Sequence, residues 1–236
     1  MKIYLQILFF LVLWISTSCS DRQTSQQNIT ELKLNEKEYL HAPGMSVLAF
    51  HNEYPVGMQG YIEIIQYNNR IATNGNVFFE EVSPEDEGEK AQVPIPKIDN
   101  PSRIIDSTNN AINVPFRYEK LKLNYDINII GKANGFSLNI KFLNEIDSTR
   151  VKNLKFRMNF FPEDYKNRTF VTNKNSGVFP EKFIEANKEN RFNREGYLAS
   201  GQEVILAPEI PELKLRIVSD GPEMVLFDER YSSTRL

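Results

Sequence analysis

The chain has 236 residues, 41% of them hydrophobic and 11% aromatic, and its 28 Lys and Arg against 31 Asp and Glu leave a net charge of −3. That balance excludes the basic footprint of a nucleic-acid binder or of a protein that holds a charged polymer. A single cysteine, Cys19, excludes an internal disulfide.

The amino terminus reads as an export signal. Met1-Lys2 supplies one positive charge, and Ile3 to Ile15 is apolar except for Gln6. A helix needs roughly 20 apolar residues to cross a bilayer, so this run has the size of a secretory h-region instead. Small residues Ser16-Thr17-Ser18 follow, and then Cys19. The arrangement resembles a bacterial lipoprotein signal, with Ser16 standing where an aliphatic residue is usual. The resemblance implies removal of residues 1–18, lipidation of Cys19, attachment to a membrane through that lipid, and an outer-membrane lipoprotein facing the periplasm or the cell surface. An ordinary signal peptide with an incidental cysteine is the alternative. Ser20 to Asn28 contains no apolar side chain to offset its ordering entropy, and residues 19–38 are expected to be a flexible tether.

Beyond the tether, strand periodicity dominates. Met45–Phe50 and Gly60–Tyr67 read as strands, and Asn68-Asn69 and Asn74-Gly75 as tight turns that divide a meander, because Asn and Gly tolerate positive φ. Val82–Pro101, with its acidic run and prolines, reads as a loop. Ala111–Tyr118 is a further strand. Leu121, Leu123, Tyr125, Ile127 and Ile129 then alternate with mostly polar neighbours, as a strand with one buried and one wet face requires. Phe136 to Phe142 and Leu154 to Phe160 repeat the pattern, as does Leu213 to Ile217. Lys166–Phe179, rich in Asn and Lys, reads as a second loop, Pro180–Asn190 as at most a short helix, and Val204–Ala207 and Met224–Phe227 as strands. The expected fold is all-β: an antiparallel β-sandwich of about ten to twelve strands with little helix. It is expected to occupy residues 39–230, before a polar tail over 231–236.

No catalytic constellation stands out. Glu163 and Asp164 in the FPEDY stretch, or Glu53, could serve as glycosidase acids, which must flank a cleft about 5–9.5 Å apart. Acids beside a proline turn are more commonly turn formers. His41 and His51 lack partners at metal-ligand spacing, Glu85-Asp86-Glu87 is too short for a calcium loop, and neither metal nor cofactor is expected. Tyr54, Tyr61, Tyr67, Tyr165 and Tyr197 lie near turns or polar neighbours and are the candidates for stacking on a sugar. Packed tyrosines with a wet hydroxyl are the commoner case.

Several stretches share an order. Pro43–Val77 (PGMSVLAFHNEYPVGMQGYIEIIQYNNRIATNGNV), Pro94–Lys97, Met158–Tyr165, Gly177–Pro180 and the closing LAPEIPELKLRI…VLFDER together resemble the amino-terminal β domain of bacterial family 9 glycoside hydrolases, cellulase-like enzymes of Bacteroidetes and related groups. The resemblance runs from about Tyr39 to Arg230. In those enzymes the catalytic acids belong to a helical barrel that follows. The chain ends at Leu236 before any such barrel, so no catalytic residue carries over. The resemblance implies a lipid-anchored, non-catalytic module of a polysaccharide-degrading system, either the front part of a truncated enzyme or a free-standing relative, with a polysaccharide or oligosaccharide as partner. A free-standing surface glycan-binding lipoprotein is the second expectation, and a small hydrolase using Glu163 or Asp164 the third.

Overall fold

The structure is a computed structural model that describes residues 31–54, 57–81, 97–98, 103–118, 121–182 and 196–230; the side chains of 50–61, 80–81 and 97–98 fall outside the description. In chain order its elements are β1 (Lys33–Leu34), β2 (Leu40–Ala42), β3 (Met45–Tyr54), β4 (Gly57–Gln66), β5 (Asn69–Glu81), β6 (Lys97–Ile98), β7 (Ile104–Asp106), β8 (Ala111–Tyr118), β9 (Leu123–Lys132) and β10 (Gly135–Phe142). There follow β11 (Val151–Phe160), α1 (Pro162–Tyr165), β12 (Thr169–Thr172), β13 (Ser176–Val178), β14 (Tyr197–Gly201), β15 (Glu203–Leu206), β16 (Leu215–Val218) and β17 (Met224–Phe227). Every strand pairing is antiparallel. The protein is all-β and sandwich-like, and the only described helix is the single turn α1.

A six-stranded sheet, ordered β1-β2-β3-β4-β5-β11, faces a five-stranded one, ordered β10-β9-β8-β6 with β7 also on β8. Alternation fixes the inner faces. Tyr125, Ile127 and Ile129 of β9 are fully buried while the residues between them are not, so one slip of register would expose the whole set. They pack with Ile112, Val114, Phe116 and Tyr118 of β8 and with Val47, Ala49, Ile62, Val77 and Phe79 of the opposing sheet. Aromatic rings run through this layer: Phe79 meets Tyr118 edge-on at 4.6 Å, and Phe116 stacks on Tyr125 at 5.2 Å. Both tyrosine hydroxyls cross to β5. Tyr118 donates to the Val77 carbonyl at 2.6 Å and Tyr125 to Asn76 Oδ1 at 2.8 Å, so both buried hydroxyls find an acceptor.

The C-terminal third forms a four-stranded sheet, β13-β12-β15-β16, and the ribbon β14-β17. Tyr165, Phe170, Ala199, Val204, Leu206 and Ala207 make a second buried cluster there. A third, of Ile64, Ile71 and Ala72 with Met158, Phe160, Leu213 and Leu215, joins it to β4 and β5.

Four expectations change. Asn74-Gly75 is not a hairpin turn but a bulge inside the continuous strand β5. Ile62 faces Gly75 and Ile64 faces Ala72, so three steps on β5 oppose two on β4, and Asn74 takes φ +56° to absorb the extra residue. The same offset recurs against β11, where Arg157 faces Asn76 and Asn159 faces Thr73. The span Lys166–Phe179 is not a loop; it contains the β12–β13 hairpin, whose strands are too short to display a period of two. The fold also begins inside the expected tether of residues 19–38. Leu32 is 1% exposed, and residues 31–34 are bonded to β2 on one side and to the β9–β10 turn on the other. Finally, Pro162–Tyr165 is a helical turn with Pro at its start, where the missing N–H costs nothing. The expected helix over 180–190 lies mostly outside the described residues, as do Cys19, the signal segment and most of Val82–Pro101.

Candidate functional site

Of the three candidate tyrosines whose side chains are described, Tyr67, Tyr165 and Tyr197, Tyr67 is the one offered to a ligand. Tyr67 and Asn68 form the two-residue turn between β4 and β5, with φ +47° and +66°, the left-handed pair a tight antiparallel hairpin needs. An aromatic residue in that region is strained, and tertiary contacts hold it there. The Tyr67 N–H donates to the Gly44 carbonyl at 2.9 Å. Its ring lies against Gly44, where an added Cβ would sit 3.1 Å from Cε1. Glycine at 44, itself at φ +87°, therefore supplies both the turn and the flat seat for the ring. One side of the ring rests on backbone, and Tyr67 remains 58% exposed.

The side chains on either side of the turn tie it to the rest of the fold. Gln66 Nε2 donates to the Pro211 carbonyl at 3.3 Å, and its Oε1 is a buried acceptor without a partner among the described residues. Asn69 Nδ2 donates to Asp164 Oδ1 at 3.2 Å. Arg70 sits 5.1 Å over the Phe161 ring and 3.2 Å from Glu63 Oε1, which also accepts from Thr73 Oγ1 at 2.9 Å. The hairpin tip is thus braced against the C-terminal third by three side chains, those of Gln66, Asn69 and Arg70. Sequence reading missed Gly44 as the seat of the ring, and Pro43-Gly44 was its one visible signal.

The other candidates are placed differently. Tyr165 is 3% exposed inside the second core, with its hydroxyl donating to the Leu213 carbonyl at 3.3 Å. Burial pushes that phenol's pKa up, and the ring is a packing group although Asp164 and Lys166 flank it in the chain. The helical turn points Tyr165 inward while its charged neighbours face water. Tyr197 is half-buried, edge-on to Phe227 at 5.9 Å and bonded to Ser200 Oγ at 3.3 Å. The side chains of Tyr54, Tyr61, Glu53 and His51 lie outside the description.

The acids beside Pro162 do not form a cleft pair. Glu163 is 78% exposed and bonded to Lys166, whose hydrogen bond first and charge second hold its carboxyl below the usual range. A general acid needs the opposite shift. Asp164 is occupied by Asn69. His41 Nδ1 is 2.9 Å from Ser46 Oγ on the surface, and no group of three His, Cys, Asp or Glu suited to a metal occurs among the described residues. An open recess of about 520 Å³ is lined by Glu31, Lys33, Asn35, Ser107 and Asn110 among others.

No family model, no curated protein and no solved structure matches the chain.

Proposed function

We propose that this protein is an exported, lipid-anchored, non-catalytic β-sandwich module of a polysaccharide-degrading system, akin to the front domain of a family 9 glycoside hydrolase, and that it contacts glycan through the Tyr67 turn. The observation that carries the binding part is Tyr67 itself, an exposed ring seated on Gly44. A rigid ring with one face on backbone offers apolar area to a sugar at little cost in side-chain entropy. The ordered motif series from Pro43 to Arg230 supports the link to polysaccharide breakdown, and the leader over residues 1–18 followed by Cys19 supports export and anchoring.

The same ring favours the second reading, a free-standing surface glycan-binding lipoprotein, to the extent that binding needs no other domain. Affinity electrophoresis of the purified protein in gels containing soluble plant glycans, with reducing-sugar release followed in parallel, separates the readings. Retardation without hydrolysis supports a binding module. Hydrolysis lost in Glu163→Gln or Asp164→Asn would instead support the hydrolase. Retardation by no glycan would leave a structural module of an enzyme.

A further inference from the structure

We propose that the corner of the fold carrying Tyr67 is its bilayer-facing side, so that the phospholipid headgroup layer is the surface this corner meets. The inference rests on the reading of Cys19 as a lipid anchor. It follows from where the chain enters the fold. In the six-stranded sheet Lys33 pairs with His41 and Leu34 with Leu40, so Leu32 lies level with Ala42 and Glu31 level with the 43–44 turn. Met45, across that turn, pairs with Gln66, which brings the Tyr67-Asn68 turn to the same end. On the other sheet Glu31 bridges to Ala133, and the Leu32 N–H donates to the Lys132 carbonyl at 3.1 Å, adding the β9–β10 turn. Three turns and the point of entry therefore share one corner.

Cys19 and Glu31 are twelve residues apart, a distance the chain spans in at most about 43 Å. A ten-residue strand such as β9 is about 30 Å long. To present the far end of the sandwich to the lipid, the connecting residues would run alongside it and use most of that reach. With the entry corner inward no such extension is needed. The chemistry of the corner agrees. Tyr67 is the kind of side chain, apolar in body and polar at its tip, that settles at headgroup depth. Lys33, Lys132 and Arg70 are exposed at this end, Lys33 beside Glu31 and Arg70 paired with Glu63, so the corner carries both signs of charge as a zwitterionic headgroup layer does. A glycan bound at Tyr67 would then lie in the layer between module and membrane.

The test uses the anchored protein in phosphatidylcholine–phosphatidylglycerol vesicles, with acylation of Cys19 first read by mass spectrometry. Acylation consumes the one native thiol, so Ala133→Cys at the entry corner and Ser148→Cys at the opposite end each accept a single donor dye. Energy transfer to headgroup-labelled lipid should place the Ala133 label close to the bilayer and the Ser148 label about 30 Å farther out. Equal heights, or the reverse order, would overturn the proposal. An unmodified Cys19 would overturn it too, through the anchor rather than the orientation. Glycan binding by the unanchored Cys19→Ser protein is indifferent to both outcomes and reports on the Tyr67 site alone.

Discussion

Asn110 closes the edge of the sandwich, and its removal has a calculable cost. The side chain reaches the N-terminal strand with both amide atoms: Nδ2 donates to the Leu32 carbonyl and Oδ1 accepts from the Leu34 N–H, each at 2.6 Å. Its backbone lies at φ +55°, a conformation Asn tolerates and Ala does not. Gly131 passes beneath so closely that a Cβ there would meet the Leu32 carbonyl at 2.1 Å. In Asn110→Ala the two backbone groups lose their partners, at about 1–3 kcal/mol for each one kept from water. The left-handed backbone adds about 1–2 kcal/mol. The clasp is only partly buried, so water recovers some of the first loss, and a net destabilisation of about 2–4 kcal/mol is expected. Asn110→Gly keeps the bond loss without the backbone penalty and should be milder by about 1 kcal/mol. Urea unfolding followed by tryptophan-independent circular dichroism measures both, and hydrogen exchange at Leu32 and Leu34 should quicken in each. A midpoint for Asn110→Ala equivalent to less than about 0.5 kcal/mol from the parent would refute the clasp.

Tyr118→Phe removes the bond to the Val77 carbonyl in the centre of the larger core, and should cost about 0.5–1.5 kcal/mol in the same unfolding assay; an unchanged midpoint would show that the crossing bond does nothing. Acid should weaken the fold in a defined window. Asp106 is held low by the Asn109 side chain, Asp147 by Thr149, Glu203 by Arg216 and Glu209 by the Thr169 backbone N–H. A carboxyl with a depressed folded value contributes stability above its unfolded value, near 3.9 for Asp and 4.3 for Glu, and loses it as pH falls through the folded value. Stability should therefore decline only below about pH 4, and a rise on acidifying from pH 5 to 3 would contradict the assignment. These groups are solvent-exposed, so the decline should be shallow and fade with salt.

How much of this was legible depended on strand length. The eight to ten residues of β9 and β10 gave alternation room to declare itself, and Leu121 through Ile129 fall on the buried face as their spacing required. The three and four residues of β13 and β12 did not, and Asn and Lys at the turn between them made the hairpin read as loop. Asn74-Gly75 misled for a different reason, since a bulge and a hairpin draw on the same tolerance of positive φ. Leu32 stands in a stretch whose apolar side chains are sparse, and its burial comes from partners about eighty and a hundred residues away, Asn110 and Lys132. Among the tyrosines, local polarity pointed equally at Tyr67 and Tyr165. The turn conformation exposes the first and a helical turn buries the second, and neither is written in the immediate neighbours.

The central claim is that Tyr67 is a glycan contact on an otherwise non-catalytic module. Calorimetric titration of the parent and Tyr67→Ala proteins with a glycan that retards the parent tests it most directly, with Tyr197→Phe as a control at a packed ring. The account predicts at least a tenfold loss of affinity, about 1.4 kcal/mol, for Tyr67→Ala alone. Equal affinity in the two proteins would contradict it.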